Sequence, residues 1–62
     1  MAKFKIQVYN REMTEKTSEY DKEFDLTGEA LVVCYDLSGS DRIVVLEREL
    51  SPHRWRIIAK FY

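Results

Sequence analysis

The fold is decided by residues 42–62, RIVVLERELSPHRWRIIAKFY, which predict two strands joined by a tight turn. Pro52 and His53 are expected to form the turn, because proline presets a turn backbone and cannot donate to a strand ladder. Placing Ser51 opposite Arg54 then fixes the register. It predicts a largely apolar face with the pairs Leu50–Trp55, Arg48–Ile57, Leu46–Ala59 and Val44–Phe61, and a second face with the pairs Glu49–Arg56 and Val45–Lys60. Trp55 is therefore expected in the core.

Two further strands are predicted in the N-terminal half. Residues 3–9 alternate polar and apolar, which is typical of a strand with one buried face, formed here by Phe4, Ile6 and Val8. Residues 20–26 alternate in the same way and place Tyr20, Phe24 and Leu26 inward, with Lys22 on the inward side as well. Residues 10–18 are polar and predict a loop, with one helical turn within 11–17 as an alternative.

Residues 30–37, ALVVCYDL, complete the predicted sheet as its third strand in chain order. Apolar, β-branched and aromatic residues favour a strand here, and a helix over 28–37 is the weaker alternative. A two-residue Ser38–Gly39 loop or a three-residue loop would join it to the next strand. The expected fold is one all-β domain over residues 1–62, an antiparallel meander of about five strands, built as an open curved sheet or a small barrel.

This predicted sheet has more apolar surface than a chain of 62 residues can cover. The third and fourth strands are apolar on both faces, and an apolar centre with a charged rim is typical of an association surface. The alternatives are that segment 10–19 folds over the second face or that tight curling of the sheet hides it. We expect a partner-binding surface formed by Val32, Cys34, Ile43, Val45, Arg56, Ile58 and Tyr62. The function expected from it is that of a small regulator or inhibitor that binds a protein partner or forms a homodimer.

Nucleic acid is the competing ligand. Residues 42–60 hold five basic and two acidic side chains, a net charge of +3, whereas residues 11–29 hold three and seven, a net charge of −4. Small β-barrels bind single strands through basic and aromatic side chains, and the candidates here are His53, Arg54, Arg56 and Lys60. An isoelectric point near 5.7 opposes this function. A third hypothesis is an acidic mimic of nucleic acid, formed by Glu19, Asp21, Glu23 and Asp25.

The sequence offers little for catalysis. It contains one cysteine, one histidine and two glycines, so it lacks a disulfide framework, a histidine metal cluster and a glycine-rich phosphate loop. We expect no enzyme activity, no cofactor and no metal. The longest apolar run, from Ala30 to Tyr35, is too short to span a bilayer, so no membrane association is expected. A lone thiol without an export signal favours the cytoplasm.

Overall fold

Residues 2–62 form a single antiparallel sheet of four strands with one helix. The computed structural model describes residues 2–62, and its elements are β1 (Ala2–Asn10), β2 (Lys16–Phe24), α1 (Thr27–Leu37), β3 (Arg42–Ser51) and β4 (Arg54–Phe61). The strands lie in the order β2-β1-β3-β4. The prediction of a small, mainly antiparallel β domain is confirmed, and its open form is the one adopted, since β2 and β4 are separate edges.

The predicted third strand is wrong, because residues 27–37 form the helix α1. Local bonds support both ends of this helix. Glu29 Oε1 accepts a hydrogen bond from the Leu26 N–H at 3.1 Å, which satisfies one free donor of the first turn. At the other end the Ser38 N–H donates to the carbonyls of Cys34 and Tyr35, at 3.0 and 3.2 Å. The sheet therefore has four strands instead of five, and the loops proposed after a third strand do not arise.

The core lies between α1 and one face of the sheet. Ala30 and Cys34, one helical turn apart, are buried against a sheet surface formed by Phe4, Ile6, Val8, Val44 and Leu46. Phe24 and Phe61 close the sides of this core, and the Phe4 and Phe24 rings meet edge to face at 5.7 Å. The inward positions predicted for Phe4, Ile6 and Val8 are confirmed. The helix is needed because a single sheet cannot bury an apolar face by itself.

The first hairpin begins its second strand earlier than predicted. Residues 11–15 form a turn with no helical turn, in which Asn10 Oδ1 accepts hydrogen bonds from the N–H groups of Thr14 and Glu15. The strand β2 then runs from Lys16, pairing Tyr20 with Ile6 and Lys22 with Phe4. Residues 16–19 are thus part of the sheet and do not cover its second face. The inward side of Lys22 is confirmed, whereas Leu26 lies beyond the strand and is exposed.

The second hairpin agrees with the predicted register at both ends and differs in between. The pairs Ser51–Arg54, Leu46–Ala59, Val45–Lys60 and Val44–Phe61 are confirmed. Between them, bulges at Leu50 and Ile58 shift the alignment by one residue and shift it back. The predicted pairs Leu50–Trp55, Arg48–Ile57 and Glu49–Arg56 are therefore wrong, and the observed pairs are Glu49–Trp55, Arg48–Arg56 and Glu47–Ile57.

The shifted register moves Trp55 out of the core. Val44 and Leu46 face the helix, so Glu47 and Glu49 lie on alternate positions, on the face that carries no helix. Trp55 pairs with Glu49 and therefore lies on this helix-free face, where it is half-buried. Arg54 and Arg56 lie on the helix side of the sheet instead.

Candidate functional site

The outer face of α1 carries an exposed apolar stripe formed by Leu31, Val32 and Tyr35, called the outer stripe below. These side chains are 36%, 61% and 72% exposed. Their spacing of three and four residues aligns them on one side of the helix. Ala30 and Cys34, on the opposite side, are both fully buried. The helix is thus apolar on two sides, and the sheet covers only one of them.

The charged residues on and next to α1 are all acidic. Glu29 and Asp36 lie within the helix, and Asp25 precedes it. No basic residue occupies the last helical turn. The electrostatic environment of the outer stripe is therefore negative on its own element.

The residues predicted to form one partner-binding surface are divided among several places. Val32 belongs to the outer stripe. Cys34 is in the core, where burial raises the pKa of its thiol to about 11. Ile43 and Val45 lie on the helix-free face but are only 6% and 3% exposed. The remaining members are exposed, Ile58 at the bulge of β4, Tyr62 at the C-terminal end, and Arg56 on the helix side of the sheet.

Polar side chains of the helix-free face shield its apolar residues. The Tyr9 hydroxyl donates to Gln7 Oε1 at 2.7 Å, which satisfies a side chain that is only 9% exposed. Lys5 Nζ lies 4.4 Å from the centroid of the Trp55 ring, a cation–π contact. These contacts shield Ile43 and Val45, whereas Ile57, which pairs with Glu47 on the same face, is 52% exposed.

The acidic residues of the proposed nucleic-acid mimic lie beside lysines. Asp21 pairs with Lys5 and Glu23 with Lys3 across the β1–β2 ladder. Glu19 forms an ion pair with Lys16 at 2.9 Å, and this contact raises the pKa of Lys16 and lowers that of Glu19. Asp25 lies outside the strand. These lysines interrupt the row of negative charge.

Three arginines gather at the end of the second hairpin and are called the arginine patch below. Arg48 and Arg56 are directly opposed in the β3–β4 ladder, and Arg54 lies two residues from Arg56 on the same side of β4. Of the predicted nucleic-acid candidates, Arg54 and Arg56 belong to this patch, and His53 lies in the adjoining turn with a φ of 66°. Lys60 pairs with Val45 and lies on the other face. Arg48 was not among the predicted candidates, because the predicted register paired it with Ile57 instead of Arg56.

The remaining polar groups of the described residues are dispersed over the surface. Among residues 2–62 no group of three or more His, Cys, Asp or Glu side chains is close enough to hold a metal ion. Asp41 forms an ion pair with Arg42 Nε at 3.1 Å, which lowers the pKa of Asp41. A surface depression of about 330 Å³ is lined by Trp55, Phe4 and charged side chains of both signs, Lys3, Lys22, Asp21, Glu23 and Glu49. The described part of the chain contains no helix long and apolar enough to cross a membrane.

Comparison with protein-family models, curated proteins and solved structures finds no match. The outer stripe and the arginine patch are thus the features from which a function can be argued.

Proposed function

We propose that this protein is a non-catalytic interaction module that inserts the outer stripe of α1 into an apolar groove of a larger protein. The observation that carries this proposal is the exposure of Leu31, Val32 and Tyr35 on a helix whose other side is already buried. A surface helix of a globular domain normally presents polar residues to water, and a helix that is apolar all round is normally buried. The apolar side chains of the outer stripe are therefore exposed to water, where a surface helix normally carries polar residues.

The spacing of the outer stripe suits recognition of a helix by a groove. Such grooves bind side chains separated by three or four residues, and Leu31 and Val32 precede Tyr35 by four and three residues. Full burial of a valine or leucine side chain contributes about 1.5–3 kcal/mol, and tyrosine is enriched among residues that dominate binding energies. Binding through this stripe would occupy the partner's surface, which is how a small regulator or inhibitor acts.

Charge favours a different protein over a second copy as the occupant. A two-fold contact between outer stripes would bring Glu29 and Asp36 of both copies close together, with no basic residue on either helix to offset them. A groove with Lys or Arg at its rim would instead complement these carboxylates. We therefore propose a partner with an apolar groove and a basic rim.

The chemistry of the single thiol and the single histidine supports a non-catalytic function. A cysteine nucleophile needs a lowered pKa, whereas burial raises the pKa of Cys34 to about 11. His53 is exposed in a turn. A lone buried thiol also suits a reducing compartment, and we propose the cytoplasm.

A pair of tyrosine variants tests the proposal, because Tyr35 and Tyr62 are 72% and 74% exposed and so are closely matched. A tagged protein would isolate its partner from the source cells, and titration calorimetry with the purified partner would then measure affinity. We expect Tyr35→Lys to weaken binding at least about tenfold, and Tyr62→Lys to leave it unchanged. Loss of binding in Tyr62→Lys alone would place the interface at the sheet and contradict the proposal.

Sedimentation velocity over a range of protein concentrations tests the second copy as occupant. We expect the chain alone to remain monomeric into the high micromolar range. Concentration-dependent dimerisation that Tyr35→Lys abolishes and Tyr62→Lys retains would assign the outer stripe to self-association instead.

A further inference from the structure

We propose that the arginine patch binds the phosphate backbone of a nucleic acid without reading its sequence. This inference goes beyond the proposed function, because the patch and the outer stripe are separate surfaces on different elements. It concerns the end of the β3–β4 hairpin, where Arg48 and Arg56 are cross-strand partners and Arg54 follows on the same side.

The three guanidinium groups have no partner within residues 2–62. Arg11 and Arg42 both donate hydrogen bonds, Arg11 to the Ser40 carbonyl at 2.7 Å and Arg42 to Asp41. Among residues 2–62, by contrast, Arg48, Arg54 and Arg56 form neither a hydrogen bond nor an ion pair. All three are exposed and available to a ligand.

The carboxylates nearest in sequence lie on the wrong face to neutralise the patch. Glu47 and Glu49 flank Arg48 on β3, and alternation along a strand places them on the opposite side of the sheet. They pair there with Ile57 and Trp55. The charge of the patch is therefore concentrated on one side of the hairpin.

The opposition of Arg48 and Arg56 weakens the ladder. Like charges directly opposite each other in an antiparallel pair are destabilising. The alternative register would have given Arg56 an acidic partner, Glu49, but the observed bulges prevent it. A local arrangement that opposes stability is explained by an anionic ligand that offsets the repulsion.

The spacing of the patch suits a row of phosphates. Guanidinium groups bind phosphate oxygens with two parallel hydrogen bonds, which is why arginine is favoured where phosphates are recognised. Arg54 and Arg56 are two residues apart along a strand, which separates them by about 7 Å, close to the distance between successive phosphates of one strand. A regular row of phosphates can thus contact several of these arginines together.

The test is fluorescence anisotropy with labelled DNA of about 20 nucleotides, single-stranded and duplex, at several salt concentrations. For wild-type protein we expect binding at low salt, with the logarithm of the binding constant falling at a slope of about −2 to −3 against the logarithm of salt. Arg48→Gln, Arg54→Gln and Arg56→Gln should each reduce the magnitude of that slope by about 0.7 on single strands and 0.9 on duplex. Whichever DNA binds more tightly, single-stranded or duplex, is the preferred form of nucleic acid.

Arg11→Gln is the matched control, because it removes the same charge from the turn between β1 and β2 and should leave the slope unchanged. Equal loss of binding in Arg11→Gln and Arg56→Gln would mean that only net charge matters, and would overturn the proposal. No binding of either DNA at low salt would also overturn it. Thermal unfolding separates binding from folding, since Arg48→Gln removes a repulsion and should raise the midpoint.

If DNA fails to bind but the purified partner of α1 binds through these arginines, the ligand is an acidic protein surface and the nucleic-acid proposal is wrong. Failure of the DNA experiment leaves the tyrosine experiment unaffected, because the two use different surfaces and different ligands.

Discussion

Cys34 illustrates at the residue scale how a side chain's chemistry follows from its position. The sequence placed Cys34 in a partner-binding surface, whereas in the structure its thiol is packed in the core between α1 and the sheet. Desolvation disfavours the thiolate, so the pKa of Cys34 rises from 9.0 to about 11.

Cys34 should therefore resist thiol reagents while the protein is folded. At pH 8 the raised pKa lowers the thiolate fraction about 100-fold relative to an ordinary thiol, and burial slows access further. The measurement is the rate of reaction with a chromogenic disulfide, with the urea-unfolded chain as control. Equal rates in the folded and unfolded states would contradict the placement of Cys34 in the core.

Sequence patterns assigned some side chains to the correct face of the sheet and others to the wrong one. Phe4, Ile6 and Val8 were assigned correctly because strict alternation leaves a strand only one apolar face. Trp55 was assigned wrongly because a bulge adds one residue and reverses every side chain beyond it. Nothing in the apolar run around Ile57 and Ile58 marks that extra residue, and its neighbours fit either register.

At the element scale, residues 27–37 show the limit of periodicity. A short run that is apolar throughout does not distinguish a buried strand from a helix. The deciding facts are tertiary and local. The sheet needs a second layer over Phe4, Ile6 and Leu46, and Glu29 caps the helix that supplies it. The extra apolar residues, which suggested a two-faced strand, became the outer stripe.

Two glutamine variants distinguish the helix from a strand. In a strand Val32 and Cys34 would share one face, so their substitutions would have similar effects. In α1 they lie on opposite sides, so Val32→Gln should change the free energy of unfolding by less than about 0.5 kcal/mol. Cys34→Gln should lower it by at least about 2 kcal/mol, because a larger polar side chain enters the core.

Urea denaturation followed by circular dichroism gives both values. The ratio between them is the informative result, since it does not depend on the stability of the parent chain. Similar losses for the two variants would contradict the helical assignment.

Across residues 2–62, the whole molecule is a sheet with a helix on one face only. The predicted excess of apolar surface stays a proposal, and the structure changes where it lies, because Ile43 and Val45 are shielded and Val32 and Tyr35 are not. The acidic and basic segments of the sequence also lie in different parts of the structure. Acidic side chains lie on and next to α1, and basic ones gather at the end of the second hairpin.

The strand order predicts how stability is distributed over the molecule. The strands β1 and β3 are hydrogen-bonded on both sides, whereas β2 and β4 each leave one edge open. Hydrogen exchange followed by NMR should show the slowest amides in β1 and β3, and fast exchange at alternate positions of β2. Uniform protection along β2 in a monomeric sample would contradict this strand order.

The paired bulges determine the register at the end of the β3–β4 hairpin. Leu50 and Ile58 are the extra residues, one in each strand, and without their bulges residues 55–57 would take the straight alignment while Ser51 still paired with Arg54. The straight alignment would join Glu49 to Arg56 and turn the indole ring over to the other side. A chain shortened by both spare residues would have only a regular ladder left, and that ladder keeps Arg48 opposite Arg56. Such a deletion would preserve the pairing within the arginine patch, and it would remove no charged residue.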